Sequence, residues 1–220
     1  MATLAAMRTE VSRIIQDSDY TATTIDRMIN ESVTSICAGV MITWPEGDQT
    51  ISQPMPDLFT IGDVATTSNA YASLPSDYQR DVVFIAGPEG NEITFYDAFG
   101  DFVRNYPLLN TSGSVVAVAV KGSNLYYQGI PDTAETLKVH YYAAPTEMSD
   151  DTDEPEGIPS RFHMTLIVYD VCLRIFKEFY EEDAGEHPVL AIYESKRMTE
   201  LINMDSLIGS DQGSVIFKSR

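Results

Sequence analysis

Cysteine is scarce: Cys37 and Cys172 are the only two in 220 residues, and they lie far apart. A disulfide framework is therefore not expected, and thiols this sparse fit a reducing compartment. Both fall within helical apolar patterns, which points to packing in a core. Histidine is almost as rare. His140, His163 and His187 lie in three separate segments, and no two repeat at helical spacing. A zinc site needs about four clustered ligands, so no metal and no cofactor is expected. No apolar run approaches the roughly 20 residues that span a bilayer, so no membrane partner is expected. The opening Met1 to Arg8 lacks a basic segment followed by an apolar stretch, so it does not read as a secretory signal. Motifs of catalysis are missing too. There is no nucleophile elbow, Walker A loop, Rossmann glycine fingerprint or His-Glu-x-x-His helix, and an enzyme is not expected.

Positive charge is the last shortage. Lys and Arg number 14 against 33 Asp and Glu, a formal net charge of -19. Phosphate binding needs basic patches, so this balance argues against a surface that wraps DNA. Two readings of the acidity remain: solubility, and a wall of like charge past which DNA slides without sticking.

What is present divides into three parts. To about residue 42 the chain reads as two helices. Leu4, Met7, Val11, Ile14 and Ile15 form one apolar stripe. Asp17-Ser18-Asp19 breaks it, and Thr23 or Thr24 can cap a second helix, with Asp26 in its first turn. That helix carries Ile25, Met28, Ile29, Val33, Ile36, Cys37 and Val40, and Trp44-Pro45-Glu46-Gly47-Asp48 ends it. The middle, about 49–146, is punctuated by prolines and by short β-branched and aromatic runs. Val82–Ala86 and Glu92–Tyr96 suggest a hairpin, Val115–Lys121 and Leu125–Gln128 another around Gly122-Ser123-Asn124, and Leu137–Ala143 a further strand. Short connections predict an antiparallel meander. The third part opens with an acidic stretch, Asp150 to Glu156, which reads as a solvated linker. A helix over about Ser160–Glu182, opening at Pro159 and ending at Gly185, is apolar on nearly every side. Pro188 opens a last helix that Gly209 closes.

The two ends need each other. Two short helices with one stripe each are marginal alone, and the helix after Pro159 has too much apolar surface for one partner. The expected fold is α+β: a four-helix bundle of N- and C-terminal helices (1–45 and 151–209) around an inserted antiparallel β-rich domain (46–150). Residues 210–220 form a tail in which Val215, Ile216 and Phe217 adjoin Lys218 and Arg220 with no acid, a candidate docking peptide. Asp17-Ser18-Asp19 resembles the start of a calcium loop. Ala22 and Met28 stand where that loop needs Gly and a bidentate Glu, so a capping turn is expected.

Several signatures carry a resemblance. Ile14-Ile15-Gln16-Asp17 precedes Ile25-Asp26-Arg27-Met28-Ile29-Asn30-Glu31, and Leu74-Pro75-Ser76-Asp77-Tyr78 follows. Then come Leu137-Lys138-Val139-His140-Tyr141-Tyr142-Ala143-Ala144-Pro145, an acidic spacer, and Gly157-Ile158-Pro159-Ser160-Arg161-Phe162-His163. In this order the chain resembles the head-to-tail connector adaptors of tailed phages, the short-tailed type included. The resemblance implies a structural virion protein at the neck, a dodecameric ring of identical subunits below the portal protein. It implies a β-rich part toward a tail or nozzle protein, DNA passing through the channel without specific binding, and a C-terminal segment docked on the portal. Another neck or tail-completion protein, or an acidic DNA-mimicking inhibitor, are the competing readings.

Overall fold

The computed structural model describes residues 2–180 and 187–209. The elements are α1 (Leu4–Ile15), α2 (Ala22–Ala38), β1 (Met41–Thr43), β2 (Gln49–Ile51), β3 (Phe59–Ala65), β4 (Tyr71–Ser73), β5 (Tyr78–Ala86), β6 (Thr94–Tyr96), α3 (Phe99–Asn105), β7 (Ala117–Lys121), β8 (Asn124–Gln128), β9 (Thr136–Ala143), α4 (Val168–Phe179) and α5 (Pro188–Ile208). The chain is α+β and forms two compact units. The end unit runs up to Leu58 and resumes at Ala144; the inner unit is Phe59–Ala143.

In the end unit, α1 starts where the Thr3 hydroxyl accepts the Ala6 N–H at 3.3 Å, and it buries Leu4, Met7 and Val11. The Asp17 carboxylate accepts the Asp19 N–H at 2.9 Å, closing the expected turn. Thr21, not Thr23 or Thr24, caps α2 by accepting from the Thr24 N–H; the two expected caps lie inside the helix. Asp26 is turned toward Arg8 instead of serving the helix start. The residues Trp44–Asp48 do not end α2, which stops at Ala38 with Gly39 at φ 99°. They form the turn of the β1–β2 hairpin. The Trp44 N–H donates to the Asp48 carbonyl at 2.8 Å, and Gly47 takes a φ of 89° that a side chain would resist.

The expected single helix after Pro159 is in fact three pieces. A 3-10 turn (Ser160–Phe162) and a π turn (His163–Ile167) precede α4. Glu182 and Gly185 lie outside the described residues. Pro188 does open α5, and Gly209 follows its last residue at φ 78°. One apolar core takes Leu4, Met7 and Val11 from α1, Ile29, Val33 and Ile36 from α2, Val171 and Ile175 from α4, and Leu201 and Met204 from α5. α1, α2 and α5 all pack on α4, which is why the segment around it is apolar on so many sides. Each fully buried Leu, Ile or Met contributes about 1.5–3 kcal/mol.

The inner unit is a stack of layers. One sheet has the order β3-β9-β5, all antiparallel; the other has the order β4-β8-β7-β6. Alternation along β7 defines the layering. Val118 and Val120 face the core shared with Val64, Ile85, Leu137 and Val139, while Ala117 and Ala119 face Phe102 of α3. The β7–β8 hairpin forms as expected, turning at Gly122 with φ 61°. The meander does not. The turn at Gly87–Asn91 closes, with the Ile93 N–H donating to the Ile85 carbonyl at 3.0 Å. Thr94–Tyr96 then leave that sheet and pair parallel with β7, with α3 as the crossover.

Candidate interaction surfaces

The acidic stretch is not a loose linker. The backbone N–H of Leu4 donates to the Asp153 carbonyl at 2.8 Å and that of Ala5 to Asp151 at 3.2 Å, so the stretch supplies acceptors to the orphan donors of α1. The Asp153 carboxylate accepts the N–H groups of Ser149 and Asp150, each at 2.8 Å. These donors stabilise the charged form and hold the carboxyl below its ordinary range. Arg8 grips Asp26 with both nitrogens, at 2.6 and 2.8 Å, and reaches Asp151 at 2.8 Å. Asn30 behaves as a strand: its amide donates to the Met148 carbonyl and its oxygen accepts the Met148 N–H, both at 2.9 Å. The stretch is a strap that ties α1 and α2 to the segment leading into α4.

A second junction centres on Asp170, which is buried. Its Oδ2 accepts from the Ser32 hydroxyl and from Arg174 Nε, each at 2.8 Å, and its Oδ1 accepts from Arg197 Nε. Three helices, α2, α4 and α5, therefore meet on one carboxylate. A groove beside it is lined by Leu173, Arg174, Lys177, Glu194, Arg197 and Met198. Its cations are already engaged by Asp170 and Glu194, which leaves little to recognise an anion.

The remaining chemistry is dispersed. Cys37 and Cys172 are buried thiols, both pushed up to about 12 by burial, so neither is a nucleophile at neutral pH. The His163 Nε2–H donates to the Ile158 carbonyl at 2.7 Å, His187 caps α5 by accepting the Val189 N–H, and His140 sits in β9. Among the described residues no group of three His, Cys, Asp or Glu side chains is placed to hold a metal ion. No described helix is long and apolar enough to cross a membrane. What the described residues offer is joints and surfaces.

A family model described as "SU10 adaptor protein" matches residues 2–214. The chain belongs to this family of phage adaptor proteins. No curated protein matches the adaptor. The motifs behind the resemblance are structural joints of the adaptor: Asn30 holds the strap, Leu137–Ala143 lies in the central strand of its sheet, and Ile158 accepts from His163. The predicted docking residues Val215, Ile216, Phe217, Lys218 and Arg220 lie outside the described residues. Sequence reasoning missed the two polar junctions, because their partners are more than a hundred residues apart: Arg8 with Asp151 and Ser32 with Asp170.

Proposed function

We propose that this adaptor is a structural virion protein at the neck. Identical subunits form a dodecameric ring between the portal protein and the tail or nozzle protein, and the genome passes through the ring. The family match over residues 2–214 is the observation that carries this reading. It also favours the adaptor over a DNA-mimicking inhibitor. The helices α1, α2, α4 and α5 would act together as a rigid bundle, locked by Asp170 and by the strap. The acidity is concentrated in the end segments, which hold 24 acidic and 10 basic residues against nine and four in Phe59–Ala143. That surface would line the channel and repel DNA rather than hold it.

The C-terminal peptide with Val215, Ile216, Phe217, Lys218 and Arg220 would dock on the portal through apolar anchors and two cations. Many tails engaging together would hold a ring whose single contacts are weak. The test is electron microscopy of the protein mixed with portal. A ring is expected beneath each portal with the full chain. Deleting residues 210–220 is expected to leave the helical circular dichroism intact and abolish the complex. Undiminished portal binding by that truncation would remove the docking role, and absence of any ring with the full chain would remove the adaptor reading.

A further inference from the structure

The inner unit stacks three layers: the sheet β3-β9-β5, the sheet β4-β8-β7-β6, and α3. Its two internal interfaces are filled with side chains. Its two outer surfaces are mixed, with exposed apolar and aromatic side chains standing among charged ones where a solvated sheet face would be polar throughout. On the first, the register aligns Ile61, His140 and Phe84 across three strands, with Phe59 and Tyr142 in the next row. Ring centroids lie 6.0 Å apart for Phe59–His140, 5.3 Å for Phe84–His140 and 5.8 Å for Phe59–Tyr142. Phe59 is 44% and Ile61 54% exposed. On the opposite surface, Leu108 is 75% exposed, next to Leu109, which packs with α3. Tyr71 is exposed there against Tyr126, whose ring meets Phe99 of α3 at 4.9 Å.

We infer that the inner units of two copies of this chain stack head to tail, the aromatic face of β3-β9-β5 meeting the α3 side of the next copy at Leu108 and Tyr71. This rests on the ring reading and names the contact that builds the ring. Charge marks where a second copy can approach. Two chains at -19 repel one another, so they can approach only where acid is compensated. All four basic residues of the inner unit lie on these two surfaces. Lys138 pairs with Asp63 at 2.6 Å and Arg80 with Asp81 at 2.7 Å on the first. Arg104 pairs with Asp101 at 3.0 Å, and Lys121 stands over the Phe99 ring at 4.7 Å, on the second.

The two surfaces differ and lie on opposite layers, so the contact is heterologous. It propagates around a ring and cannot close as a two-fold dimer. Its size sets its strength. Three strands about 4.8 Å apart and about eight residues long present roughly 300–400 Å², against about 800 Å² per partner in a stable pair. One contact is therefore weak, and a ring gains from each copy making two.

Sedimentation equilibrium from micromolar to millimolar protein, in salt that screens the net charge, tests this with Ile61→Glu and Leu108→Glu. Both sites are exposed, so thermal unfolding of each variant is expected to match wild type. The wild-type weight-average mass is expected to rise continuously with concentration. Each variant alone should stay monomeric, at least tenfold weaker in association. An equimolar mixture should form a heterodimer and stop, since it retains one intact pair of surfaces. A wild type that stays monomeric throughout, a variant that associates like wild type, or a mixture without heterodimer overturns the contact. Portal-templated rings formed normally by both variants would also overturn it while leaving the ring itself standing; failure of the wild type to form rings would strike the adaptor reading instead.

Discussion

All nine methionines fall in the end segments and none in Phe59–Ala143, whereas 13 of the 22 aromatic residues fall in the inner unit. The polar contacts differ in reach: the inner unit's side-chain bonds, such as Tyr141 with Asp77 and Tyr127 with Thr67, stay within its own segment, whereas those of the end unit cross from one end of the chain to the other. The end unit is joined by bonds between distant residues: Arg8 with Asp151, Asn30 with Met148, Ser32 with Asp170, and the Tyr20 hydroxyl donating to Glu178 at 2.6 Å. Two of the inner unit's ion pairs join near neighbours, Arg80–Asp81 and Arg104–Asp101, and these lie at the surface with Lys138–Asp63. Helices arriving from opposite ends of a chain can slide and rotate, so directional polar contacts are needed to fix their register. Strands already have a register from their ladder, and aromatic side chains then fill the space between sheets.

Substitutions should separate the two designs. Asp170→Ala is expected to have the largest effect, roughly 3–5 kcal/mol, because it strands two arginines that the buried carboxylate now satisfies. Urea unfolding followed by helical circular dichroism should show the loss, with the inner unit's tyrosine fluorescence unmoved. A common shift of both signals would mean that the units unfold as one. Leu125→Ala in the inner core should cost about 3 kcal/mol and report in the reverse pattern. Asn30→Ala removes two hydrogen bonds to Met148 and should cost about 1–3 kcal/mol, with faster amide exchange from Met148 to Asp153; unchanged exchange there would mean the strap is held by other contacts.

The smallest effect is one of pH. The Asp153 carboxyl is held below its ordinary value by the N–H groups of Asp150 and Ser149. Its contribution is therefore fully present above the ordinary aspartate range, about pH 4, and is lost as pH falls through the lower folded value. Protection of the Ser149 and Asp150 amides, taken relative to the intrinsic exchange rate at each pH, should fall only in that acid window. Loss of protection already at neutral pH would contradict the assignment.

Much of the end unit was legible because helical periodicity is a local signal. The stripe Leu4, Met7, Val11 and the run through Ile36 both found their core. The Thr21 cap was misread because three neighbouring threonines offer the same hydroxyl, and only the backbone decides which one is extended. The acidic strap is solvated as expected, with Asp150, Asp151, Glu154 and Glu156 exposed, but its order was not legible because the donors that fix it, Arg8 and the start of α1, come from the other end of the chain. β3 escaped notice because Gly62 and Asp63 interrupt its run. Gly62 is required by close approach, since a Cβ there would lie 2.7 Å from Pro75 and 2.9 Å from the Tyr141 ring. The parallel β6–β7 pairing is a long-range choice that no short window contains. The aromatic face was half visible as the alternation of Lys138, His140 and Tyr142, but which side of the strand stays bare depends on the second sheet.

The central claim is that the two ends make one self-sufficient unit around an insert. Phe59 and Tyr142 are register partners, so the insert leaves and returns with its strands about 5 Å apart, and two or three glycines can bridge the cut. Thermal unfolding of a chain in which residues 59–143 are replaced by such a bridge tests it directly. The account predicts a single cooperative helical transition, abolished by Asp170→Ala or strongly lowered by it. A chain that shows no cooperative transition, or only residual non-cooperative helix, would contradict it.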